Sequence, residues 1–361
     1  MKLRAFFIIP ALITAATFAT FAATREGRRD KPRDKRRGQK VERTVATSPN
    51  VAVSVCLISG DITVHGWDRN EVRARSNDAA RIDFRGNEAT SQSEPVKKIE
   101  IFVSDQPEEP RLATSCLSAS DIDINVPRGA SVQLQTRDGD ITVIEVATAY
   151  VNTQNGDIDI ERASRSVDAG SIGGTISLKD SSGRVNLHSI SGNVEATDVR
   201  PAEAGDLFEA SSVSGDLILS RVTHAQLNAH TVNGSLNLSG PLAHGGRYGF
   251  RTYSGDVTLT LPADSSFKLS AKISRHGEIV TDFPLTLTTQ AATPEAPVPP
   301  APTSPPDNAP KKDDVPKKGV YSKTIVVTIP FSMQRVEAIC GTGDATIYIA
   351  SFGGTVHLRK K

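Results

Sequence analysis

A glycine-centred turn recurs every 17–23 residues through the middle of this chain. The copies read Arg137-Asp138-Gly139-Asp140-Ile141, Gln154-Asn155-Gly156-Asp157-Ile158, Ile190-Ser191-Gly192-Asn193-Val194, Val213-Ser214-Gly215-Asp216-Leu217, Val232-Asn233-Gly234-Ser235-Leu236 and Tyr253-Ser254-Gly255-Asp256-Val257. Each lies between short runs of alternating apolar residues. Repeats of this length are single supersecondary units that bury their apolar faces only by stacking on one another. The chain therefore reads as an all-β repeat scaffold rather than a globular enzyme. Aromatic residues make up only 5% of the 361, which suits thin layers of Val, Ile, Leu and Ala.

With the turn glycine set as zero, Thr136, Thr153, Ser171, Ser189, Ser212, Thr231 and Thr252 stand three residues earlier. Apolar or small residues stand five and seven earlier, such as Leu187 with Val185 and Ala210 with Phe208. Apolar residues also stand two and four later, such as Ile158 with Ile160 and Leu217 with Leu219. A period of two on each side of the turn means strands with one buried face. Glycine suits the turn because a positive φ costs it little, and a preceding Asn or Asp tolerates the same region. The Ser/Thr column reads as a hydroxyl ladder inside the coil. The fold expected is a β-solenoid of strand-turn-strand units, with a hairpin-built sandwich as the competing arrangement, since Asn-Gly and Asp-Gly favour hairpins locally. The structural turn glycines are Gly60, Gly139, Gly156, Gly174, Gly192, Gly215, Gly234, Gly255, Gly343 and Gly354, with His276-Gly277 a degenerate copy.

Two segments share a second pattern. Ile122-x-Ile124-x-Val126-Pro127 leads into Val132-x-Leu134, and Val257-x-Leu259-x-Leu261-Pro262 leads into Phe267-x-Leu269. In each a proline ends a strand and a polar turn reverses the chain. The domain reading places an N-terminal β region at 44–126 and the main solenoid at 127–289. A Pro-rich linker or extruded loop follows at 290–318, and β repeats that cap the stack at 319–361.

Met1-Lys2-Leu3-Arg4 followed by an apolar stretch to Ala23 has the form of a secretory signal peptide, residues 1–22, with Thr20 third before a cut after Ala22. An uncleaved anchor is the alternative. Residues 23–43 form a basic arm expected to be disordered, with nine Lys or Arg between Arg25 and Lys40. It reads as a solvated spacer or as a contact for an anionic surface. A formal charge of +1 for the whole chain leaves no footprint for nucleic acid.

Export permits a disulfide. Of the three cysteines, Cys56 and Cys116 lie near the two ends of the first β region and form the expected pair. Cys340 falls where the repeat usually carries Ser or Thr, and its pairing with either of the other two is the alternative. No Cys-x-x-Cys pair, zinc spacing, Gly-x-Ser-x-Gly elbow or phosphate loop occurs. No cofactor, metal or catalytic residue is expected. Asp61, Asp140, Asp157, Asp216 and Asp256 follow turns and read as solvent-facing residues bonding their own backbone, with calcium the sharper alternative. Asp157 with Asp159, and Asp121 with Asp123, are the best carboxylate pairs for a polysaccharide-active β-helix enzyme. His224, His230 and His244 fall on neighbouring repeats and read as surface residues. Trp67, the only tryptophan, covers an end of the stack or offers a platform for a sugar.

Val41-Glu42-Arg43-Thr44, the stretch Ser59-Gly60-Asp61-Ile62-Thr63-Val64-His65-Gly66-Trp67 and the repeated Ser-Gly-Asp turns resemble a bacterial family of candidate adhesins, a domain of unknown function. The strand-Pro-Arg-Gly-Ala segment 124–130 and Asp282-Phe283-Pro284-Leu285 match its style. The resemblance spans residues 41–361 apart from the insert at 290–318. It implies an exported or envelope-associated β-repeat protein and carries over no catalytic residue. The function expected is a surface-presenting scaffold whose partner is a glycan, a cell-wall polymer or an envelope protein. A cell-envelope sensor or regulatory module is the alternative reading.

Overall fold

The computed structural model describes residues 40–86, 95–104, 116, 118–274, 277–288, 325–327 and 334–361, all within one compact unit, Gly38–Lys361. The signal-peptide and arm readings up to residue 39, His276, and the linker at 290–318 lie outside these residues. Among the described residues every regular element is a β-strand.

The period-two segments fold as the alternation requires. In Ser131–Asp138, Val132, Leu134 and Thr136 are buried while Gln133, Gln135 and Arg137 face outward. A glycine turn then swings the chain into Ile141–Ile144, where Ile141 and Val143 are buried. This two-strand rung repeats, and rungs stack in parallel with like residues paired. Ile158 lies between Ile141 and Ile176, and Val167 between Ala149 and Val185. The strands before the turns form one sheet, called here the leading sheet, and those after the turns form the trailing sheet. Their inner faces enclose a continuous aliphatic core that reaches from Val53 and Ile62 to Leu269 and Ile279. Parallel pairing of equivalent residues is the β-solenoid arrangement, and it excludes the hairpin sandwich.

The first strand, Val41–Cys56, belongs to both sheets. Val41–Ala46 pairs antiparallel with Glu71–Ser76 in the trailing sheet, and Ala52–Cys56 lies in the leading sheet. It thus begins three residues before the expected start at 44, because those residues find a ladder partner.

The order of rungs departs from the order of the chain at both ends. Ala52–Cys56 sits between Val96–Ser104 and Ser131–Asp138, and Ile62–Trp67 sits between Ile122–Pro127 and Ile141–Ile144, all in parallel. At the other end, Ala345–Ser351 lies between Arg247–Ser254 and Phe267–Ile273. Thr355–Lys360 lies between Val257–Leu261 and Glu278–Thr281. The two proline turns, closed by Ala130 N–H on the Pro127 carbonyl (2.9 Å) and Ser265 N–H on the Pro262 carbonyl (3.0 Å), mark where the chain steps over these interleaved rungs. The C-terminal repeats are therefore not a simple cap. Among the described residues the edges are closed by antiparallel strands instead: Arg81–Gly86, Val41–Ala46, Ile325–Val327, and Gln334–Cys340 with Thr286–Leu287 outside it.

Candidate binding surface

The turn corner is built by three superposed columns. The glycines are required by contact more than by φ. A Cβ on Gly156 would lie 2.0 Å from the Gly139 carbonyl oxygen, one on Gly174 1.9 Å from that of Gly156, and one on Gly192 2.0 Å from that of Gly174. Gly60 and Gly255 have positive φ (108° and 141°), whereas Gly156, Gly174, Gly192, Gly215 and Gly234 do without it. Gly354 continues this column with its Cβ position 2.0 Å from the Gly255 oxygen. Gly343 does not: with φ 72° it closes the turn after Gln334–Cys340, its N–H donating to the Cys340 carbonyl (3.2 Å).

The Ser/Thr hydroxyls do not bond one another. Each donates to the turn-glycine carbonyl one rung back: Thr153 to Gly139 (3.2 Å), Ser189 to Gly174 (3.2 Å), Ser212 to Gly192 (3.0 Å) and Thr231 to Gly215 (3.0 Å). These small buried groups satisfy carbonyls that the sharp corner leaves outside the strand ladders. On the C-terminal interleaved rung Ser351 takes this position, but its buried hydroxyl finds no hydrogen-bond partner among the described residues. Cys340 instead ends an outer strand, where burial pushes its thiol pKa up.

The carboxylates after the turns bond the next rung's backbone rather than their own. Asp140 N–H donates to Asp61 Oδ1 (2.9 Å), Asp157 N–H to Asp140 Oδ1 (2.8 Å), Thr175 N–H to Asp157 Oδ1 (2.8 Å) and Thr355 N–H to Asp256 Oδ1 (2.8 Å). Asp121 caps Asp61 in the same way (2.9 Å), and Asp123 pairs with Arg75 (3.5 Å). So one member of each expected carboxylate pair is held as a backbone cap. No cluster of three metal-ligating side chains occurs among the described residues.

Trp67 ends the strand Ile62–Trp67 half-buried. Its indole N–H donates to the Glu71 carbonyl (2.9 Å), and the Arg69 and Arg73 guanidinium groups stand 5.1 and 4.8 Å from its ring centroid. The cations hold this ring in the wall of the first rungs and compete with any sugar for its π-face. Cys56 and Cys116 are joined as a disulfide with Cα atoms 4.9 Å apart.

The three histidines occupy three different surroundings. His230 faces outward, and His244 Nδ1 is 2.8 Å from Asp344 Oδ1. His224 corrects the surface reading. It is wholly buried, packs on Phe208 at 5.6 Å between ring centroids, and donates Nε2–H to the Gly183 carbonyl (2.7 Å). Desolvation holds its pKa below the ordinary histidine value, against weaker opposing effects of that hydrogen bond and of Asp206. It lies in a corner between rungs, where no strand period reports burial.

A second column of corners, six residues after the turn glycines, escaped the sequence reading. Glu145, Arg162, Asp180, Asp198 and Arg221 adopt φ of 49–59° there. Their side chains pair along the stack, Arg128 and Arg162 with Glu145 (both 3.1 Å) and Arg221 with Asp198 (2.5 Å). Glycine marks this corner only at Gly66 and Gly240, against Glu145 and Arg221, and the other copies carry charged residues that look like any solvated face.

The residue two before each turn glycine points outward. On six consecutive rungs it is apolar and 40–61% exposed: Ile172, Ile190, Val213, Val232, Tyr253 and Phe352. Backbone bonds keep the column in line, with Ser191 N–H on Ile172 O (2.9 Å), Ser214 N–H on Ile190 O (2.8 Å) and Asn233 N–H on Val213 O (2.8 Å). Tyr253 and Phe352 stack with centroids 5.3 Å apart. At the parallel-strand spacing, five steps make a ridge about 24 Å long.

Stacked parallel strands, a steric glycine column and rung-to-rung caps define a two-sheet β-solenoid repeat scaffold. The family model described as Toastrack DUF4097 matches residues 59–293. That span is more than half of the chain, which belongs to the Toastrack DUF4097 family. A candidate adhesin from Parabacteroides distasonis ATCC 8503 is matched at 8% identity and TM-score 0.37, over 62% of this chain and 91% of that one. A candidate cell adhesion protein from Clostridium sporogenes ATCC 15579 is matched at 8% identity and TM-score 0.21, over 90% of this chain and 100% of that one. No curated protein matches the chain.

Proposed function

We propose that the chain is an exported adhesin-like scaffold that binds a partner on a cell envelope or cell surface through the outer face of its leading sheet. The observation that carries this reading is the apolar ridge from Ile172 to Phe352. Monomeric soluble proteins seldom leave a long contiguous apolar strip in water unless it meets a partner. The mechanism is passive: stacked rungs hold the ridge and the polar columns beside it in fixed register, so that weak contacts repeat along one line. Export is supported by the charged and apolar opening residues and by the Cys56–Cys116 bond, which persists in an oxidising compartment.

The test begins with producing cells. They are fractionated, exposed to external protease, and the N-terminus of the native protein is determined by mass spectrometry. A cut N-terminus with a protease-accessible or secreted product is expected. The purified chain should then bind envelope preparations, and Tyr253→Ser with Phe352→Ser should weaken that binding while leaving the fold intact. An uncut, protease-shielded product would overturn the reading in favour of an internal envelope module.

A further inference from the structure

Beside the ridge, the outer face of the leading sheet carries a groove of about 580 Å³ at its C-terminal end. Strand register builds it from two columns. One runs His230, Arg251, Ala350, Lys272 and Arg335, and the other Asn228, Gly249, Tyr348, Ser270 and Glu337. The small residues Gly249 and Ala350 leave the depression, and the long side chains around them make its walls. A Cβ on Gly249 would lie 2.8 Å from Asn228 Oδ1, the end of an exposed side chain that can turn aside, so a larger side chain at this position would fill the depression.

The charges do not cancel. Glu337 is held by Arg335 (2.9 Å), which also donates to Ser270 Oγ (3.3 Å). Arg251 and Lys272 have no carboxylate within ion-pair distance among the described residues. Two unpaired cations thus face one groove on a chain whose formal charge is only +1. They stand two strand steps apart, about 9–10 Å at the usual spacing, on either side of Ala350. Tyr348, half exposed, stands in the adjoining column between Gly249 and Ser270.

We propose that this groove binds an acidic polysaccharide, a uronate chain, with Arg251 and Lys272 each taking a carboxylate and Tyr348 packing on a sugar ring. The proposal rests on the surface-binding reading and names the ligand class. Guanidinium matches carboxylate through paired hydrogen bonds, and ammonium acts as a point charge. Tyrosine supplies an apolar face with a polar rim, as a pyranose requires. The gap of about 9–10 Å between Arg251 and Lys272 leaves room for a sugar unit to lie between them, with Tyr348 in the adjoining column.

The full chain is titrated by calorimetry with polygalacturonate, neutral dextran and polyphosphate at low and high salt. Binding to polygalacturonate that weakens with salt, and none to dextran, is expected. Arg251→Gln and Lys272→Gln should each weaken binding about tenfold, the worth of roughly one charge-assisted contact. Gly249→Val, which fills the groove and leaves the charge unchanged, should weaken it as well. Each variant is on the outer face, so unchanged thermal unfolding verifies the fold. Equal affinity of the variants, no binding of polygalacturonate, or tighter binding of polyphosphate would each overturn the proposal. If envelope binding is lost with the Tyr253/Phe352 substitutions but untouched by the groove variants, the groove assignment fails while the scaffold reading stands.

Discussion

A methyl group on Gly192 would place its carbon 2.0 Å from the Gly174 carbonyl oxygen and 3.0 Å from the Ser189 hydroxyl. Both neighbours are fixed by stacking on the next rung, so Gly192→Ala must open the corner. A loss of about 3 kcal/mol in urea unfolding is expected, the upper end for overpacking. Gly205→Ala is the control: φ is 99° there, but a Cβ meets nothing within 4 Å, so only backbone strain of about 1 kcal/mol applies. The glycine spacing was legible in the sequence and its cause was not, because a close approach between rungs depends on residues 17–23 positions apart. His224 was illegible for a related reason. Its burial comes from Phe208 and Gly183, 16 and 41 residues earlier, and not from its own strand. Its depressed pKa has a consequence of definite sign. Between the folded value and the ordinary value near 6.5 the unfolded chain binds the extra proton, so stability rises with pH across that window. The contribution is complete above that ordinary value and is lost as pH falls through the window. Thermal melts at about pH 5 and about pH 7.5 should show this fall, and His224→Gln, which keeps a donor for Gly183, should flatten it.

At the scale of elements, the interleaved rungs decide how the ends behave. A solenoid whose last repeat is a cap loses little but its final edge when that repeat is removed. Here Ala345–Ser351 and Thr355–Lys360 are interior, each paired on both sides. They bury Ile347, Ile349, Val356 and Leu358, worth about 2 kcal/mol each, a sum comparable to the stability of many whole domains. A chain ending at Cys340 should therefore lose hydrogen-exchange protection in both Arg247–Leu261 and Phe267–Thr281. Loss confined to the second segment would mean that those strands close up without the missing rung. The sequence carried a trace of this topology in its two strand-proline segments, at Pro127 and Pro262. They read as the borders of related blocks because periodicity reports which face of a strand is buried and says nothing of which strand lies beside it. Parallel neighbours 60–100 residues apart, such as Thr258 and His357, leave no local mark.

For the whole molecule, stacking makes stability close to a sum of neighbouring rungs, so a perturbation should decay along the stack. The Cys56–Cys116 bond acts at one end. It ties the interleaved strand Val41–Cys56 to residue 116, closing a loop with a sequence separation of 60, across strands that pair partly antiparallel and partly parallel. Such a link limits the unfolded chain and is worth about 2–4 kcal/mol. If the molecule were one cooperative block, Cys56→Ser with Cys116→Ser would lower protection everywhere by the same amount. The nearest-neighbour ladder of hydroxyl, carboxylate and backbone bonds argues for the graded outcome. Exchange should accelerate most in Val41–Ser104 and Ile122–Pro127, less in Ser131–Ile144, and hardly at all beyond Leu207–Ser212. The ridge and the groove both extend past that point, so reduction should leave binding at the C-terminal end intact while the first rungs fray. Uniform loss of protection, or loss of binding in parallel with reduction, would show instead that the rungs unfold as one unit.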